Sequence, residues 1–153
     1  MKGRLLVWPV LGLLLAALVL QTVRLRGRLL ASRLTHQVEM ISLAAAGSSP
    51  GAFAQVLPLN LAALRRAGEA DPLAVEVPLS RGSLYLLARQ PQEAIEAYRA
   101  AAALEPHPEI YLHLGDALLA AGQVEEARRN YRIALLLDPW LRSAVPAGLL
   151  QPQ

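Results

Sequence analysis

The chain contains no cysteine and almost no lysine, since Lys2 is the only lysine among 15 basic residues. Without cysteine it forms no disulfide bonds and has no thiol for lipid attachment, although this leaves the redox compartment open. It also lacks a Gly-rich phosphate loop and a Ser/His/Asp arrangement. Its three histidines, His36, His107 and His113, are not spaced with carboxylates in a metal-binding pattern. We therefore expect no catalytic residue, no metal site and no cofactor, and a protein that is not an enzyme.

Charge is divided unevenly along the chain. Residues 1–70 carry eight Lys or Arg and two Glu, a net charge of +6, whereas residues 71–153 carry seven Arg and ten Asp or Glu, a net charge of −3. Because nucleic-acid-binding domains are usually basic, the acidic C-terminal half argues against nucleic acid as a partner.

One pattern occurs twice in the C-terminal half. The first copy consists of Gly82, Tyr85, Ala94, Tyr98, Ala101 and Pro106. Each of these residues has a counterpart 33 positions later, in the order Gly115, Leu118, Ala127, Tyr131, Ala134 and Pro139. A fixed period near this length is typical of a solenoid.

The second copy resembles the tetratricopeptide repeat (TPR) nearly position for position. The matching residues are Tyr111, Leu114, Gly115, Leu118, Ala127, Tyr131 and Pro139. The resemblance implies an all-α fold of antiparallel helix pairs, near 79–89 with 92–104 and near 109–121 with 124–137. In each pair the small residues set the distance between two helices, and the large residues fill the space around the contact.

The expected domain order places two repeats in the C-terminal half. Repeat 1 covers residues 75–107 and repeat 2 covers residues 108–139. A degenerate helical cap or half repeat at 52–74 precedes them, and a capping helix with a polar tail at 140–153 follows them. The additional segments matter because each repeat buries its apolar face only against a neighbour, and such a stack usually needs about three units.

The N-terminus predicts a membrane anchor. Residues Leu5 to Val23 carry no charge and are almost all apolar, with basic residues on both sides. This length just suffices for a helix across a hydrocarbon core of about 30 Å. The alternative is a cleaved secretory signal, but residues 20–23 offer no small-x-small cleavage site. We therefore expect residues 1–23 to form a single transmembrane helix.

This anchor would make the chain a single-pass protein of a bacterial inner membrane, with the lipid bilayer as one of its partners. The sequence leaves the orientation open. The basic residues after the span outnumber the positive charges before it by one, which favours a cytoplasmic C-terminal domain. Analogy with bacterial membrane-anchored TPR proteins favours the periplasm instead.

Residues 24–51 are expected to form a juxtamembrane helix and a hinge. Five apolar residues recur on one helix face, namely Leu30, Leu34, Val38, Ile41 and Ala45. This stripe is expected to pack on the first solenoid helix or on a neighbouring subunit; alternatively, the segment lies against anionic lipid headgroups. The Gly/Ser/Pro sequence of residues 47–51 then ends the helix.

The TPR resemblance also implies a binding surface. In TPR domains the concave groove is lined mainly by the first helix of each repeat. The matching positions are Leu79, Ser83, Leu86, Leu87, Glu109, Leu112, Asp116, Leu119 and Ala120. Chaperone-binding TPR domains use Lys, Asn and Arg to hold a C-terminal carboxylate, and here Leu112 and Asp116 replace the Lys and the Asn, so we expect no such clamp. The groove is apolar with a few acids, which suits a helix or an extended hydrophobic segment of a partner protein.

The sequence thus predicts a membrane-anchored protein–protein interaction scaffold. Its expected role is that of an accessory or assembly subunit of a larger membrane complex, of respiratory, photosynthetic, secretion or envelope type. The alternative is a transient client recruiter or chaperone-like factor at the membrane. In both cases the extramembrane partners are proteins.

Overall fold

A computed structural model of the chain describes residues 7–48 and 50–149. This part is almost wholly helical and contains no β-strand. Its α-helices are α1 (Val7–Ser48), α2 (Pro50–Ala70), α3 (Glu76–Leu87), α4 (Pro91–Leu104), α5 (Pro108–Ala120) and α6 (Val124–Leu137). A short 3₁₀ helix, Pro139–Ala144, follows α6. The predicted all-α fold is confirmed.

Successive helices pack as hairpins in one row. Helix α1 packs against α2, α3 against α4, and α5 against α6. The hairpins are joined because α3 contacts both α1 and α2, and α4 contacts α5. A row in which each hairpin contacts its neighbours is a solenoid, so the TPR-like solenoid is confirmed, and α1 with α2 adds a hairpin at its N-terminal end.

The turns inside the two C-terminal hairpins share one geometry. Arg89 and Gly122 follow α3 and α5 at equivalent positions, with positive φ angles of 57° and 77°. The N–H of the next residue, Gln90 or Gln123, donates to a carbonyl oxygen five positions earlier, at 2.8 Å in both turns. This is the Schellman ending of a helix, in which the left-handed residue is usually Gly. Arg89 therefore adopts a backbone conformation that favours glycine.

Buried side chains form two clusters. The C-terminal cluster joins α4, α5 and α6, and its buried members are Ala94, Ile95, Tyr98, Leu112, Leu114, Ala117, Leu118, Ala127, Tyr131, Ala134 and Val145. The N-terminal cluster joins α1, α2 and α3, and its buried members are Ala31, Val38, Ala45, Phe53, Leu64, Ala67, Val77 and Leu84. The second half of α1 is therefore part of the packed body.

The buried face of α1 differs from the predicted apolar stripe. Val38 and Ala45 are buried, but Leu30 and Ile41 are 48% and 39% exposed. The residues buried in their place are Ala31, Thr35 and Ser42. All three are small, and small side chains allow α2 to lie close to α1.

Helix α1 touches the end of α2 at Gly27. A Cβ atom on this residue would overlap the carbonyl oxygen of Ala70. One position further, Arg28 Nε lies 3.8 Å from Asp71 Oδ2. Before this point the side chains of residues 12–26 are all exposed. We call residues 12–26 the α1 arm.

Within residues 7–48 and 50–149, no helix combines the length and the apolar character that crossing a membrane requires. The predicted transmembrane anchor at residues 1–23 and the single-pass location in a bacterial inner membrane are therefore wrong. From Val7 only 17 uncharged residues precede Arg24, and they include Gln21 and Thr22, whereas a span needs about 20 predominantly apolar residues. The predicted contact with lipid and the predicted orientation across the membrane depended on this anchor and lose their basis with it. Residues 1–6 of the predicted anchor lie outside the described residues.

Candidate functional site

The predicted groove residues lie on α3 and α5, the first helices of the two C-terminal hairpins. The exposed ones are Ser83, Leu87 and Ala120. The half-buried ones are Leu79, Leu86, Glu109, Asp116 and Leu119. Leu112 is only 7% exposed and belongs to the C-terminal cluster, so it packs beneath the groove and offers almost no surface to a ligand.

The C-terminal ends of α3 and α5 meet at a shallow cavity. Its volume is about 440 Å³, and its lining residues are Leu86, Leu87, Arg89, Pro91 and Ala120. The cavity brings predicted groove residues of both repeats together. We call it the leucine end of the groove.

Two equivalent hydrogen bonds join the first and second helices of the hairpins. Ser83 Oγ and Tyr98 Oη are 3.2 Å apart in the α3–α4 hairpin. In the α5–α6 hairpin, Tyr131 Oη donates to Asp116 Oδ1 at 2.8 Å. Because the two pairs are related by the 33-residue period, the repeat places a hydrogen-bonding group at the same point of each first helix.

His113 lies between these two pairs. Its ring stacks on Tyr98 with centroids 5.7 Å apart and an angle of 21° between the planes. Its Nδ1 is 3.8 Å from Asp116 Oδ2. These contacts connect the two hairpins, and we call the set Ser83, Tyr98, His113, Asp116 and Tyr131 the polar row.

The two tyrosines of the polar row are held in the neutral form. Burial raises the pKa of Tyr131, and the hydrogen bond to Asp116 and the charge of that carboxylate raise it further. Burial also raises the pKa of Tyr98, with the hydrogen bond to Ser83 acting in the opposite direction. A neutral phenol can donate a hydrogen bond, so Tyr131 remains a donor to Asp116 at neutral pH.

Charge differs between the two ends of the groove. At the start of α5, the carboxylate of Glu109 pairs with the imidazole of His107. At the opposite end, Arg89 lines the leucine end. Asp116 lies between them on α5, and its side chain is 41% exposed. The groove therefore presents an acid at its middle and a guanidinium at one end.

Sequence reasoning did not assign Tyr98, His113 and Tyr131 to the groove. The two tyrosines were expected to fill the helix contact, and they are indeed 1% and 0% exposed. Their hydroxyl groups nevertheless reach residues of the groove. The spacing of 15 positions from Ser83 to Tyr98, repeated from Asp116 to Tyr131, is the signal that could have indicated this.

The predicted groove combines hydrogen-bonding groups with apolar side chains. In the described ranges, no three acidic or histidine side chains lie close enough together to hold a metal ion. The polar row contains one carboxylate, that of Asp116. Its hydrogen bonds join Ser83 to Tyr98 and Tyr131 to Asp116. A row of hydrogen-bonding groups beside exposed and half-buried leucines suits a peptide segment with both polar and apolar side chains.

The row of helical hairpins defines a repeat protein of the solenoid class. The family model for the tetratricopeptide repeat matches residues 60–108 and 79–139. The chain therefore belongs to the tetratricopeptide repeat family, and the predicted resemblance is confirmed. None of the curated proteins matches it in sequence.

Solved structures agree with this assignment. A thermophilic TPR protein of Thermus thermophilus is 26% identical with a TM-score of 0.64, and the match covers 80% of this chain and 69% of that one. The first TPR domain of human RPAP3 is 23% identical with a TM-score of 0.60, over 72% of this chain and 80% of that one.

A further structure shows the first TPR of Spaghetti (RPAP3) bound to the HSP90 peptide SRMEEVD. It is 23% identical with a TM-score of 0.61, and the match covers 73% of this chain and 82% of that one. At this identity the likeness concerns the fold. The fold in turn implies protein–protein interaction, and TPR proteins are typically scaffolds without enzymatic activity.

Proposed function

We propose that this TPR protein is an accessory or assembly subunit of a larger protein complex, which it holds through the groove on α3 and α5 and through the α1 arm. The groove would take a segment of a partner protein. The arm would be covered by a second surface of the same complex. Because no described helix can cross a membrane, the proposal does not include a membrane complex.

The observation that carries the proposal is the exposed apolar surface of the α1 arm. Eight large apolar side chains there are between 51% and 72% exposed, namely Leu13, Leu14, Leu15, Leu18, Val19, Leu20, Val23 and Leu25. A contiguous exposed patch of this kind marks an interaction site. A permanent subunit would keep it covered, whereas a factor that releases its clients would expose it in every cycle. The arm therefore favours the accessory subunit over the transient recruiter.

The groove is expected to differ in specificity from the domain that binds SRMEEVD. That peptide is acidic, whereas the groove here carries Asp116 at its middle and Leu112 buried beneath it. Two like charges 4 Å apart cost about 1 kcal/mol in bulk water and about 4 kcal/mol near a protein surface. An acidic peptide is therefore disfavoured next to Asp116.

The test is affinity purification of the tagged full chain from the organism that encodes it, with quantitative mass spectrometry. We expect a small set of proteins at fixed stoichiometry. Leu87→Glu in the groove and Leu18→Glu in the arm should each remove members of the set, because a charge in a desolvated apolar contact is costly. Both residues are exposed in the isolated chain, 49% and 58% respectively, so neither change should affect folding.

The control is Arg129→Glu on the exposed side of α6, outside both proposed surfaces. It should leave the complex unchanged. Many substoichiometric proteins with no fixed set would favour the recruiter instead. An unchanged set in both Leu87→Glu and Leu18→Glu would contradict the proposal.

A further inference from the structure

Asp116 has capacity for another hydrogen-bond donor. Its Oδ1 accepts from Tyr131, whereas Oδ2 accepts no hydrogen bond from a described residue; His113 Nδ1 is 3.8 Å away, beyond hydrogen-bond distance. In the described part of the chain, the arginines that form ion pairs do so elsewhere: Arg28 with Asp71, Arg99 with Glu126, and Arg128 with Glu125. Within residues 7–48 and 50–149, Asp116 therefore forms no ion pair with an arginine.

The surroundings of Asp116 hold it in place. Tyr131 is fully buried, and its hydroxyl fixes Oδ1 at 2.8 Å. His113, stacked on the buried ring of Tyr98, forms a flat wall next to Oδ2. A carboxylate with one oxygen held and one oxygen available is preorganised for a single cationic group.

The flat wall favours arginine over lysine. A guanidinium is planar, stacks on ring faces and hydrogen-bonds to carboxylates in a fixed geometry, whereas an ammonium group is a strongly hydrated point charge. The His113 side chain is 42% exposed, so its ring is accessible to such a group. The neighbouring leucine end contributes the apolar side chains of Leu86, Leu87 and Ala120 beside Arg89.

We propose that Asp116 recognises an arginine side chain of the partner segment, with the guanidinium against His113 and an adjacent apolar side chain in the leucine end. This inference rests on the proposed function of the groove and adds the chemistry of its ligand. The basic side chain belongs at Asp116 and not at the leucine end, because Arg89 lies there.

The ligand can be found by selection. A phage library of random heptapeptides is selected on the immobilised full chain, and on Asp116→Asn and Asp116→Lys variants. The wild type should enrich peptides with an arginine next to leucine-like residues. Asp116→Asn should lose this preference, and Asp116→Lys should reverse it toward acidic peptides. Asn retains an oxygen that can accept from Tyr131, so Asp116→Asn should keep the fold, as circular dichroism would show.

Binding affinities then measure the interaction between Asp116 and the arginine of the peptide. The best enriched peptide and its Arg-to-Gln version are labelled, and fluorescence anisotropy measures both against the wild type and Asp116→Asn. We expect Asp116→Asn to weaken the Arg peptide roughly tenfold or more, as for a lost charge-assisted hydrogen bond, and to have little effect on the Gln peptide. Equal effects on both peptides would show that Asp116 acts indirectly and would overturn the inference.

The outcomes separate this inference from the function it rests on. Peptides that are acidic or without charge preference, but whose binding is lost in Leu87→Glu, would leave the groove as the binding surface and overturn the role of Asp116. Enrichment of no peptide, or of peptides indifferent to Leu87→Glu, would overturn both. Arg129→Glu is the control, and it should change neither the selection nor the affinities.

Discussion

Gly115 and Tyr131 contact each other without space for any side chain on the glycine. A Cβ atom at Gly115 would lie 2.6 Å from Cε1 and 2.7 Å from Cδ1 of the tyrosine ring. Gly82 stands in the same relation to Tyr98 in the preceding repeat, with a shortest distance of 2.5 Å. The two rings are buried, so neither can move aside into solvent. The recurrence of Gly and Tyr in the sequence is thus one contact made twice.

Gly115→Ala should destabilise the fold by about 1–3 kcal/mol, because even a methyl group overpacks the contact with Tyr131. Gly115→Leu should cost more. Urea unfolding followed by circular dichroism measures the change. The matched control is Gly47→Ala in α1, where a Cβ would meet nothing within 4 Å, and where we expect no loss of stability. Equal stability of Gly115→Ala and wild type would place the close contact elsewhere.

Arg89→Gly should stabilise the chain by about 0.5–1 kcal/mol. Arg89 has a φ of 57°, a conformation that costs a residue with a Cβ more than it costs glycine. Part of the gain is offset by the greater freedom of glycine in the unfolded chain. The reverse change at the equivalent turn, Gly122→Ala, should destabilise by a similar amount, since φ there is 77°. Thermal unfolding of both variants tests this prediction. The melting temperature should rise in Arg89→Gly and fall in Gly122→Ala, and a change of the same sign in both would contradict it.

Ser42 and Asn60 should behave as a coupled pair. Asn60 Nδ2 donates to Ser42 Oγ at 2.8 Å, and Ser42 Oγ donates to the carbonyl oxygen of Val38 at 2.6 Å. Both side chains are buried, so Ser42→Ala leaves the Asn60 amide without this acceptor and should cost about 1–3 kcal/mol. The double variant Ser42→Ala/Asn60→Ala should lose less than the sum of the single changes. Strict additivity in chemical denaturation would show that the bond contributes no coupling.

Stability should fall at alkaline pH through Tyr131. Burial and the bond to Asp116 raise the pKa of this phenol above its ordinary value of 10.0, so the folded chain binds the proton more tightly than the unfolded chain. The contribution of the Tyr131 phenol to the free energy of unfolding is therefore complete below about pH 10 and declines as the pH rises above it. Unfolding free energies at about pH 9 and about pH 11 measure the decline, which should be smaller in Tyr131→Phe. An identical decline in that variant would assign the alkaline sensitivity to other groups.

The repeat helices could be predicted because their information is local. Gly115, Ala127 and Tyr131 mark one helix contact, and the period of 33 residues places the same contact in the preceding hairpin. The face of α1 could not be assigned in this way. Leu30 and Ile41 are more apolar than Thr35 and Ser42, yet the latter are buried. They are buried because α2 packs against α1, and Ser42 also accepts a hydrogen bond from Asn60 on α2. The sequence pattern of α1 alone contains neither fact.

The predicted anchor was wrong for a related reason. An uncharged apolar run indicates that a helix is stable in apolar surroundings, but the run itself does not show whether these are lipid or another protein surface. Of the nine predicted groove positions, eight are exposed or half-buried on α3 and α5 and Leu112 is buried. Their role as a binding surface stays a prediction. The polar row was missed because a tyrosine that fills a core and a tyrosine whose hydroxyl bonds to a groove residue look the same in a sequence.

The contact of Gly27 with Ala70 also fixes the point at which α1 leaves the solenoid. Beyond that contact the 15 residues of the arm continue as one rigid rod, and at 1.5 Å per residue they extend about 22 Å from the solenoid. A partner surface bound at the far end of the arm would therefore be held at a fixed distance and orientation from a segment bound in the groove. Deleting four residues from the rod would shorten it by about 6 Å while turning its tip by little more than one full revolution, so length and orientation could be varied almost independently.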